Sequence, residues 1–133
     1  MREILFRGKT KVYNKWVYGW YCGKILNHNM HYTEESSQII DDKTLYWHTC
    51  EPDTVGQFTG LTDKNGKKIF EGDIIEWFLP ELPEYPSLAY IEYDESSFAW
   101  RVCWRKYDPD WLEGLNKEYI SVIGNIHDNP ELL

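Results

Sequence analysis

The segment TVGQFTGLTDKNGKKIFEGDIIEW, residues 54–77, decides the fold, because it reads as a β-hairpin followed by a second turn and a further strand. Two short runs rich in apolar residues, 57–61 and 67–70, flank the polar group at 63–66. Asn65 and Gly66 readily adopt the positive φ angles of a tight reversal, and the Asp63 carboxylate is placed to accept hydrogen bonds from the turn backbone. We therefore predict an antiparallel hairpin at this point in the chain.

Strand and turn patterns of the same kind continue on both sides of the hairpin. Aromatic and β-branched residues alternate with period 2 between glycines, which is typical of antiparallel sheet rather than helix. The pattern predicts further strands at residues 4–7, 15–25, 38–40, 44–47, 74–78, 89–93, 98–104 and 119–123. The remaining segments read as a loop or short edge strand (27–37), an irregular excursion with three prolines (79–87) and a short helix or single turn (108–114).

These elements predict a mainly β fold of antiparallel strands with one short helix at most. The chain has 133 residues, of which 42% are hydrophobic, so it can form a core, and disorder is excluded. We expect a single domain over residues 1–133. In it, a small barrel-like C-terminal region (54–133) packs against an N-terminal β region (1–53).

The net charge of −8 is distributed unevenly along the chain. Residues 1–25 contain six basic side chains against Glu3 alone, whereas residues 26–66 carry a net charge of −5 and residues 67–133 a net charge of −8. The acidic total argues against a protein built mainly to bind the nucleic-acid backbone. The segregation suggests a contact surface that orients docking, although plain solvated faces give the same pattern.

Compartment signals are few. Cys22, Cys50 and Cys103 are odd in number and widely spaced, which favours reduced thiols over a disulfide framework. The charged start MREILFRGKTK has no apolar segment typical of a secretory signal. No apolar run approaches the roughly 18 residues that a membrane span needs. We expect a cytoplasmic protein with no membrane partner.

Three segments resemble the YopX family of phage and prophage proteins: MREILFRG (1–8), residues 54–77 and ISVIGNIHDNPELL (120–133). The resemblance implies a small β-rich protein encoded by bacteriophages or integrated prophages and acting in the host cytoplasm. It implies no reaction and no catalytic residues. Physically, these segments read as a folding signature, with Asp73 at a strand entry and with glycines at positions of positive φ or close approach: Gly60, Gly66, Gly72 and Gly124.

The sequence contains no motif that indicates catalysis or metal binding. Five residues are of metal-ligating type, but they lack a Cys-x-x-Cys pair, and exposed loop histidines explain them as well: Cys22, His28, His31, His48 and Cys50. Ser36, Ser37, Ser96 and Ser97 lack a nucleophile-elbow pattern. The many carboxylates suit turns in an acidic protein. We expect no enzyme, no cofactor and no metal.

Two kinds of binding remain. The basic, aromatic N-terminal region offers a candidate interaction surface: Lys9, Lys11, Lys15, Trp16, Tyr18 and Trp20. Cations beside aromatic rings are typical of surfaces that bind single-stranded nucleic acid. The alternative function is therefore a single-stranded nucleic-acid or regulatory binding module that uses this region. Protein contacts rank first, because 22 aromatic residues exceed what one small core readily holds. We expect a homo-oligomer, formed by contact between unlike surfaces, or binding to a phage or host protein.

Overall fold

The structure, a computed structural model, describes residues 2–28, 30–31, 33–82 and 87–133. In these ranges it consists of antiparallel strands and four single 3-10 turns. The strands are β1 (Phe6–Lys9), β2 (Trp16–His28), β3 (Thr33–Asp41), β4 (Trp47–Cys50), β5 (Gly56–Thr62), β6 (Lys68–Phe70), β7 (Asp73–Trp77), β8 (Ser87–Asp94), β9 (Ala99–Trp104), β10 (Asp110–Trp111) and β11 (Ile120–Asn125). The prediction of a mainly β antiparallel fold is confirmed.

The strands form two sheets, and the chain divides into two compact units. One sheet has the order β4-β3-β2-β1-β5-β6 and the other the order β10-β9-β8-β7-β11; in the described residues neither is a closed barrel. The first unit is Met1–Phe58 and the second is Thr59–Leu133. Strand β5 starts in the first unit and ends in the second. The two units are described separately below.

In the first unit the sheet curls so that its edge strand β4 returns to the segment that follows β1. The Lys11 amide donates to the Thr49 carbonyl at 3.0 Å, and the Glu51 amide donates to the Lys9 carbonyl at 2.9 Å. Thr10 and Cys50 form an isolated antiparallel bridge between these two bonds. We call this contact between residues 9–11 and 49–51 the seam. It encloses a small interior.

The interior of the first unit has a small buried centre bordered by larger side chains. Val17, Ile39 and Cys50 are buried and form its centre, with Phe6, Tyr21 and Val55 packed against them. Strands β2 and β3 pack so closely at position 19 that only glycine fits there. A Cβ added to Gly19 would lie 1.7 Å from the Ile40 carbonyl oxygen. The strand pairing thus depends on the absence of a side chain at this position.

Two predictions for the first unit are wrong in detail. Residues 27–37 are largely strand, because β2 and β3 continue as a hairpin whose last pair is His28 with Thr33. The strand predicted at 44–47 begins only at Trp47. The Asp41 carboxylate accepts hydrogen bonds from the Lys43 and Thr44 amides, and Leu45 has a φ of 62°, so the turn is longer than the spacing indicated.

The second unit has an aliphatic core under its five-stranded sheet. Its buried members are Ile69, Ile75, Ala89, Ile91, Val102, Leu112 and Ile120. Three tryptophans, Trp77, Trp100 and Trp104, pack against this cluster. The predicted strands at 74–78, 89–93 and 119–123 are present within one or two residues of their expected ends. Strand β9 begins at Ala99 rather than Phe98, since Phe98 adopts a φ of 54° in the turn.

The predicted hairpin signature forms around two buried carboxylates. Asp63 is 3% exposed and accepts the Asn65 and Lys67 amides on Oδ1 and the Val122 amide on Oδ2, all at 2.8–2.9 Å. Gly66 has a φ of 78°, as the Asn-Gly turn requires. Asp73, 2% exposed, accepts the Phe70 amide at 2.8 Å. These contacts confirm the predicted roles of both carboxylates in the turns.

The segment 108–114 forms a short strand and a single 3-10 turn rather than an α-helix. Asp110–Trp111 is the short strand β10, and Leu112–Gly114 is a 3-10 turn in which Leu112 is buried. The excursion predicted at 79–87 falls partly on residues 83–86, which lie outside the described ranges. Across the described ranges, the structure contains no helix with the length and apolar character that crossing a membrane requires.

Candidate interaction surface

The outer face of the curled sheet carries most of the predicted surface residues. In the β1–β2 pair, Lys9 lies opposite Trp16 and Arg7 lies opposite Tyr18. Residues directly opposite each other in an antiparallel pair share a face of the sheet. Period 2 along β2 places Trp20 on the same face as Trp16 and Tyr18. The other face points into the small interior of the unit.

The same face continues across two further strands. Trp20 pairs with Ile40 of β3, and Ile40 pairs with Trp47 of β4. We call Trp16, Tyr18, Trp20, Ile40 and Trp47 the aromatic face. Its tryptophans at the centre and edge are accessible: Trp20 is 48% exposed and Trp47 is 63% exposed. Aromatic side chains this exposed on adjacent strands give a surface with large apolar area and little rotamer entropy to lose on binding.

Two cations border one end of the aromatic face. The Arg7 guanidinium carbon lies 4.7 Å from the centre of the Trp16 ring, and the Lys9 ammonium lies 5.9 Å from it. Both distances are within the range of cation–π attraction. This contact holds the Trp16 ring in a defined position on the sheet and places positive charge beside it.

The other two predicted lysines are not part of this face. The Lys11 ammonium donates to the Glu34 carboxylate at 2.7 Å and to the Glu35 carbonyl at 2.9 Å. The hydrogen bond to Glu34 raises the pKa of Lys11. Lys15 lies in the turn before β2, where its amide donates to the Thr10 hydroxyl at 3.1 Å. Of the six predicted residues, Lys9, Trp16, Tyr18 and Trp20 are therefore brought together.

Sequence reasoning missed two members of the aromatic face, Ile40 and Trp47, and the buried Arg7 that contacts Trp16. Arg7 and Lys9 alternate in β1 as Trp16, Tyr18 and Trp20 do in β2, which is a signal that the sequence carries. The position of Ile40 and Trp47 depends on the β2–β3–β4 register, which no local pattern specifies.

The charge segregation seen along the sequence is largely cancelled inside the first unit. Residues 1–58 contain seven basic and seven acidic residues, while residues 59–133 contain seven basic and fifteen acidic ones. Lys24 also forms an ion pair with Glu35, at 2.8 Å. The basic N-terminal segment thus has its acidic partners within the same unit, and the aromatic face lies on a unit of zero formal charge.

The candidate metal ligands do not converge in the described part of the chain, where no group of three or more His, Cys, Asp or Glu side chains is placed to hold an ion. His28 Nδ1 is 3.0 Å from the Thr33 hydroxyl, and Cys22 is exposed. Cys50 is fully buried, and burial raises the pKa of its thiol to about 11. A thiol with that pKa is a poor nucleophile at neutral pH.

The Glu92 carboxylate forms an ion pair with Arg101 and accepts a hydrogen bond from a neighbouring thiol. The Arg101 Nε donates to Glu92 Oε2 at 3.1 Å, and the Cys103 thiol donates to the same oxygen at 3.3 Å. The Arg101 hydrogen bond lowers the pKa of Glu92, while burial is the main cause that raises the pKa of Cys103. This arrangement holds the thiol protonated. It is the opposite of what an attacking cysteine needs.

Two antiparallel sheets, turns fixed by buried carboxylates and an exposed aromatic face define a small mainly β protein. The chain belongs to the YopX family, since the family model described as YopX protein matches residues 5–133. The resemblance seen in the sequence is confirmed.

The crystal structure of protein EF1440 from Enterococcus faecalis is similar, with a TM-score of 0.55 and 24% identity over 100% of this chain and 99% of that chain. At that identity the likeness concerns the fold. A search of curated proteins found no match.

Proposed function

We propose that this YopX-family protein is a phage- or prophage-encoded accessory protein of the bacterial host cytoplasm that acts through protein contacts and catalyses no reaction. The observation that carries the proposal is the aromatic face, a row across three adjacent strands in which Tyr18, Trp20 and Trp47 are exposed and Trp16 and Ile40 are half-buried. Its first partner is a second copy of this chain, and a phage or host protein is the other.

The balance of apolar area and charge supports a protein partner. Tryptophan and tyrosine are enriched at the centres of protein interfaces, where their apolar bodies are buried and their polar atoms find partners. The unit that carries the face has no net charge, and Lys11 and Lys24 are engaged by Glu34 and Glu35. A protein surface can cover such a face without electrostatic cost, whereas a polyanion gains little from it.

Light scattering over a concentration series tests this proposal. We expect the wild-type chain to form an oligomer at micromolar concentration and physiological salt, and the variant Trp20→Ser with Trp47→Ser to weaken that association. The matched control is Tyr13→Ser with Leu26→Ser, which removes two exposed apolar side chains (75% and 57% exposed) from the same unit but away from the face. A monomeric wild type, or equal loss in both double variants, would overturn self-association through this face.

A second candidate, single-stranded nucleic-acid binding, is favoured by one observation: Arg7 and Lys9 flank the Trp16 ring. Base stacking between such groups is common in single-strand binding surfaces. Titration of short DNA and RNA oligomers across salt separates the two functions. Binding that falls steeply with salt and is lost in Lys9→Glu would favour nucleic acid; Lys11→Glu serves as the comparison, because Lys11 lies off the aromatic face and contacts Glu34.

A further inference from the structure

The hairpin of β8 and β9 in the second unit presents an exposed aromatic side chain at its tip. The strands pair from Ala89 with Trp104 to Asp94 with Ala99, and the chain reverses between Asp94 and Ala99. Phe98, the last residue of this turn, is 82% exposed and has a φ of 54°. A bulky residue at positive φ is strained, and the rest of the fold must stabilise it. Because such strain is concentrated at functional sites, Phe98 is a candidate functional residue.

The tip is an ordered structure that bears negative charge. Asp94 Oδ1 accepts hydrogen bonds from the Ser96 amide at 3.3 Å and from the Ser96 hydroxyl at 2.9 Å. The Ser96 hydrogen bond is the main cause that lowers the pKa of Asp94, so this group is charged at neutral pH. Glu95 is exposed beside it. Phe98 therefore projects from a fixed turn that carries two carboxylates.

An apolar cleft of about 620 Å³ lies at the other end of the same hairpin. Its walls include Trp77 and Trp104, whose rings meet edge to face at 6.3 Å, together with Leu79 and Leu88. The Trp104 indole N–H donates to Asp110 Oδ2 at 2.7 Å, so its polar atom is satisfied within the unit. The cleft thus offers aromatic and aliphatic surface with no unmet hydrogen-bond donor on Trp104. A cleft of this size and lining is suited to an apolar group.

The lining of the cleft contains two cations and one carboxylate, that of Asp110, although the unit as a whole is acidic. Arg105 and Lys106 line the cleft, are exposed, and form no ion pair with any described residue. The unit around them holds fifteen acidic and seven basic residues. Two adjacent cations beside an apolar cleft favour an occupant that joins an aromatic group to negative charge.

We propose that the hairpin tip of one copy docks into the cleft of a second copy, with Phe98 against the indoles and with Asp94 and Glu95 against Arg105 and Lys106. The occupant is a second copy because the tip carries the groups that the cleft is suited to receive: an exposed aromatic ring for its apolar walls and adjacent carboxylates for Arg105 and Lys106. The proposal rests on the self-association put forward above but assigns it a second, separate contact.

The contact is intermolecular by geometry. Strand β8 spans eight residues, from Ser87 at the cleft end to Asp94 at the tip end. At roughly 3.3 Å per residue, these two ends lie about 23 Å apart along one extended ribbon. The tip of a chain therefore does not reach its own cleft. A contact between two unlike surfaces leaves one tip and one cleft free in a dimer, so further copies add until a ring closes or a filament grows.

Substitution of Phe98 separates this contact from folding. Phe98→Asn removes the aromatic ring, while asparagine tolerates the positive φ better than phenylalanine. We expect an unchanged or higher melting temperature and a dissociation constant raised by about tenfold or more. The matched control is Leu45→Asn, which replaces another exposed bulky residue at positive φ, 62% exposed with a φ of 62°, in the first unit. That control should leave the association unchanged.

A mixing experiment tests the head-to-tail arrangement directly. Both partners carry Trp20→Ser with Trp47→Ser, so that the aromatic face makes no contribution. One partner also carries Phe98→Asn and keeps its cleft; the other carries Arg105→Glu with Lys106→Glu and keeps its tip. We expect each to be monomeric alone and the mixture to form a one-to-one heterodimer that adds no further copies, measured by sedimentation velocity. Lys43→Glu with Lys117→Glu is the control for equal charge change.

The outcomes separate the two proposals. A heterodimer in the mixture supports the tip-and-cleft contact whatever the aromatic face does. Two monomers in the mixture overturn it, and association lost equally in Leu45→Asn or in the charge control overturns it as well. The proposed role of the aromatic face is judged only by the difference between the wild type and the variant Trp20→Ser with Trp47→Ser, so it survives or fails independently.

Discussion

The two units place the same residue type on opposite sides of their sheets. In the first unit, Trp20 and Trp47 lie outside, on a curled sheet whose buried centre is Val17, Ile39 and Cys50. In the second unit, Trp77, Trp100 and Trp104 pack against a broad aliphatic core. The difference follows from space. The buried centre of the first unit has three residues, whereas that of the second has seven and gives an indole more surface to pack against. Aromatic content alone therefore does not indicate where the rings lie.

The largest effect we expect comes from a single methyl group in the first unit. Gly19→Ala places a Cβ 1.7 Å from the Ile40 carbonyl oxygen, so the β2–β3 pairing must shift. We expect a loss of about 4 kcal/mol or more in the free energy of unfolding, measured by urea denaturation. Gly114→Ala, in the second unit, adds a methyl group into open space and should change stability by less than about 0.5 kcal/mol. Equal effects at the two positions would contradict the close packing of the first unit.

The same substitution on both sheets tests the contrast in tryptophan placement. Trp100 packs against the core of the second unit and meets Tyr93 edge to face at 4.9 Å, so Trp100→Ala should cost about 3 kcal/mol. Trp47 is 63% exposed, so Trp47→Ala should cost about 0.5 kcal/mol or less in a monomer. Thermal unfolding of both variants at a concentration without self-association gives the comparison. A large loss for Trp47→Ala would mean that the aromatic face contributes to folding.

Each unit also fixes a turn with an aspartate, and the two differ in burial. For Asp63, burial acts to raise the pKa, but three backbone N–H donors outweigh it and the pKa lies below the usual value of 3.8. Because the folded-state pKa is depressed, this stabilisation is present above about pH 4 and is lost as the pH falls through the folded-state pKa. Asp63→Asn should cost about 2 kcal/mol at pH 7, and the difference from wild type should shrink in acid.

The matched substitution in the first unit is Asp41→Asn. The pKa of Asp41 is lowered chiefly by the Thr44 and Lys43 amides, and Asp41 is less buried than Asp63. The sign of the pH dependence is the same, and the expected cost is smaller, about 0.5 to 1 kcal/mol. Urea unfolding at pH 7 and pH 3 measures both variants. A larger loss of unfolding free energy in Asp41→Asn than in Asp63→Asn would contradict the central role of the residue 54–77 segment in the fold.

The smallest effect concerns the neutral charge balance of the first unit. Lys11→Met removes an ion pair whose carboxylate partner, Glu34, is 46% exposed, so the free energy of unfolding should change by about 0.5 kcal/mol or less. The contribution should decrease further at high salt. Unfolding at low and high ionic strength provides the measurement. A loss above about 1 kcal/mol would show that this pair supports the long β2–β3 hairpin.

Sequence reasoning predicted the second unit better than the first. The Asp63–Gly66 turn and the strands after Gly72 follow from local chemistry, in which a carboxylate, an Asn-Gly pair and β-branched runs act over a few residues. The β2–β3 hairpin beyond Lys24 did not follow, because its residues are polar and its register comes from pairing rather than from a hydrophobic face. Likewise, Trp16, Tyr18 and Trp20 were found from period 2, whereas Ile40 and Trp47 join them only through tertiary register.

The seam between residues 9–11 and 49–51 makes Cys50 a natural reporter of local unfolding. Its thiol is fully buried next to the bridge with Thr10, and it reacts with a labelling reagent only when these two segments separate. Because they lie about forty residues apart in the chain, their contact closes a long loop and should form late in folding. Exposed Cys22 gives the rate of an unprotected thiol in the same molecule. The ratio of the two labelling rates therefore measures the free energy of opening the sheet without any substitution.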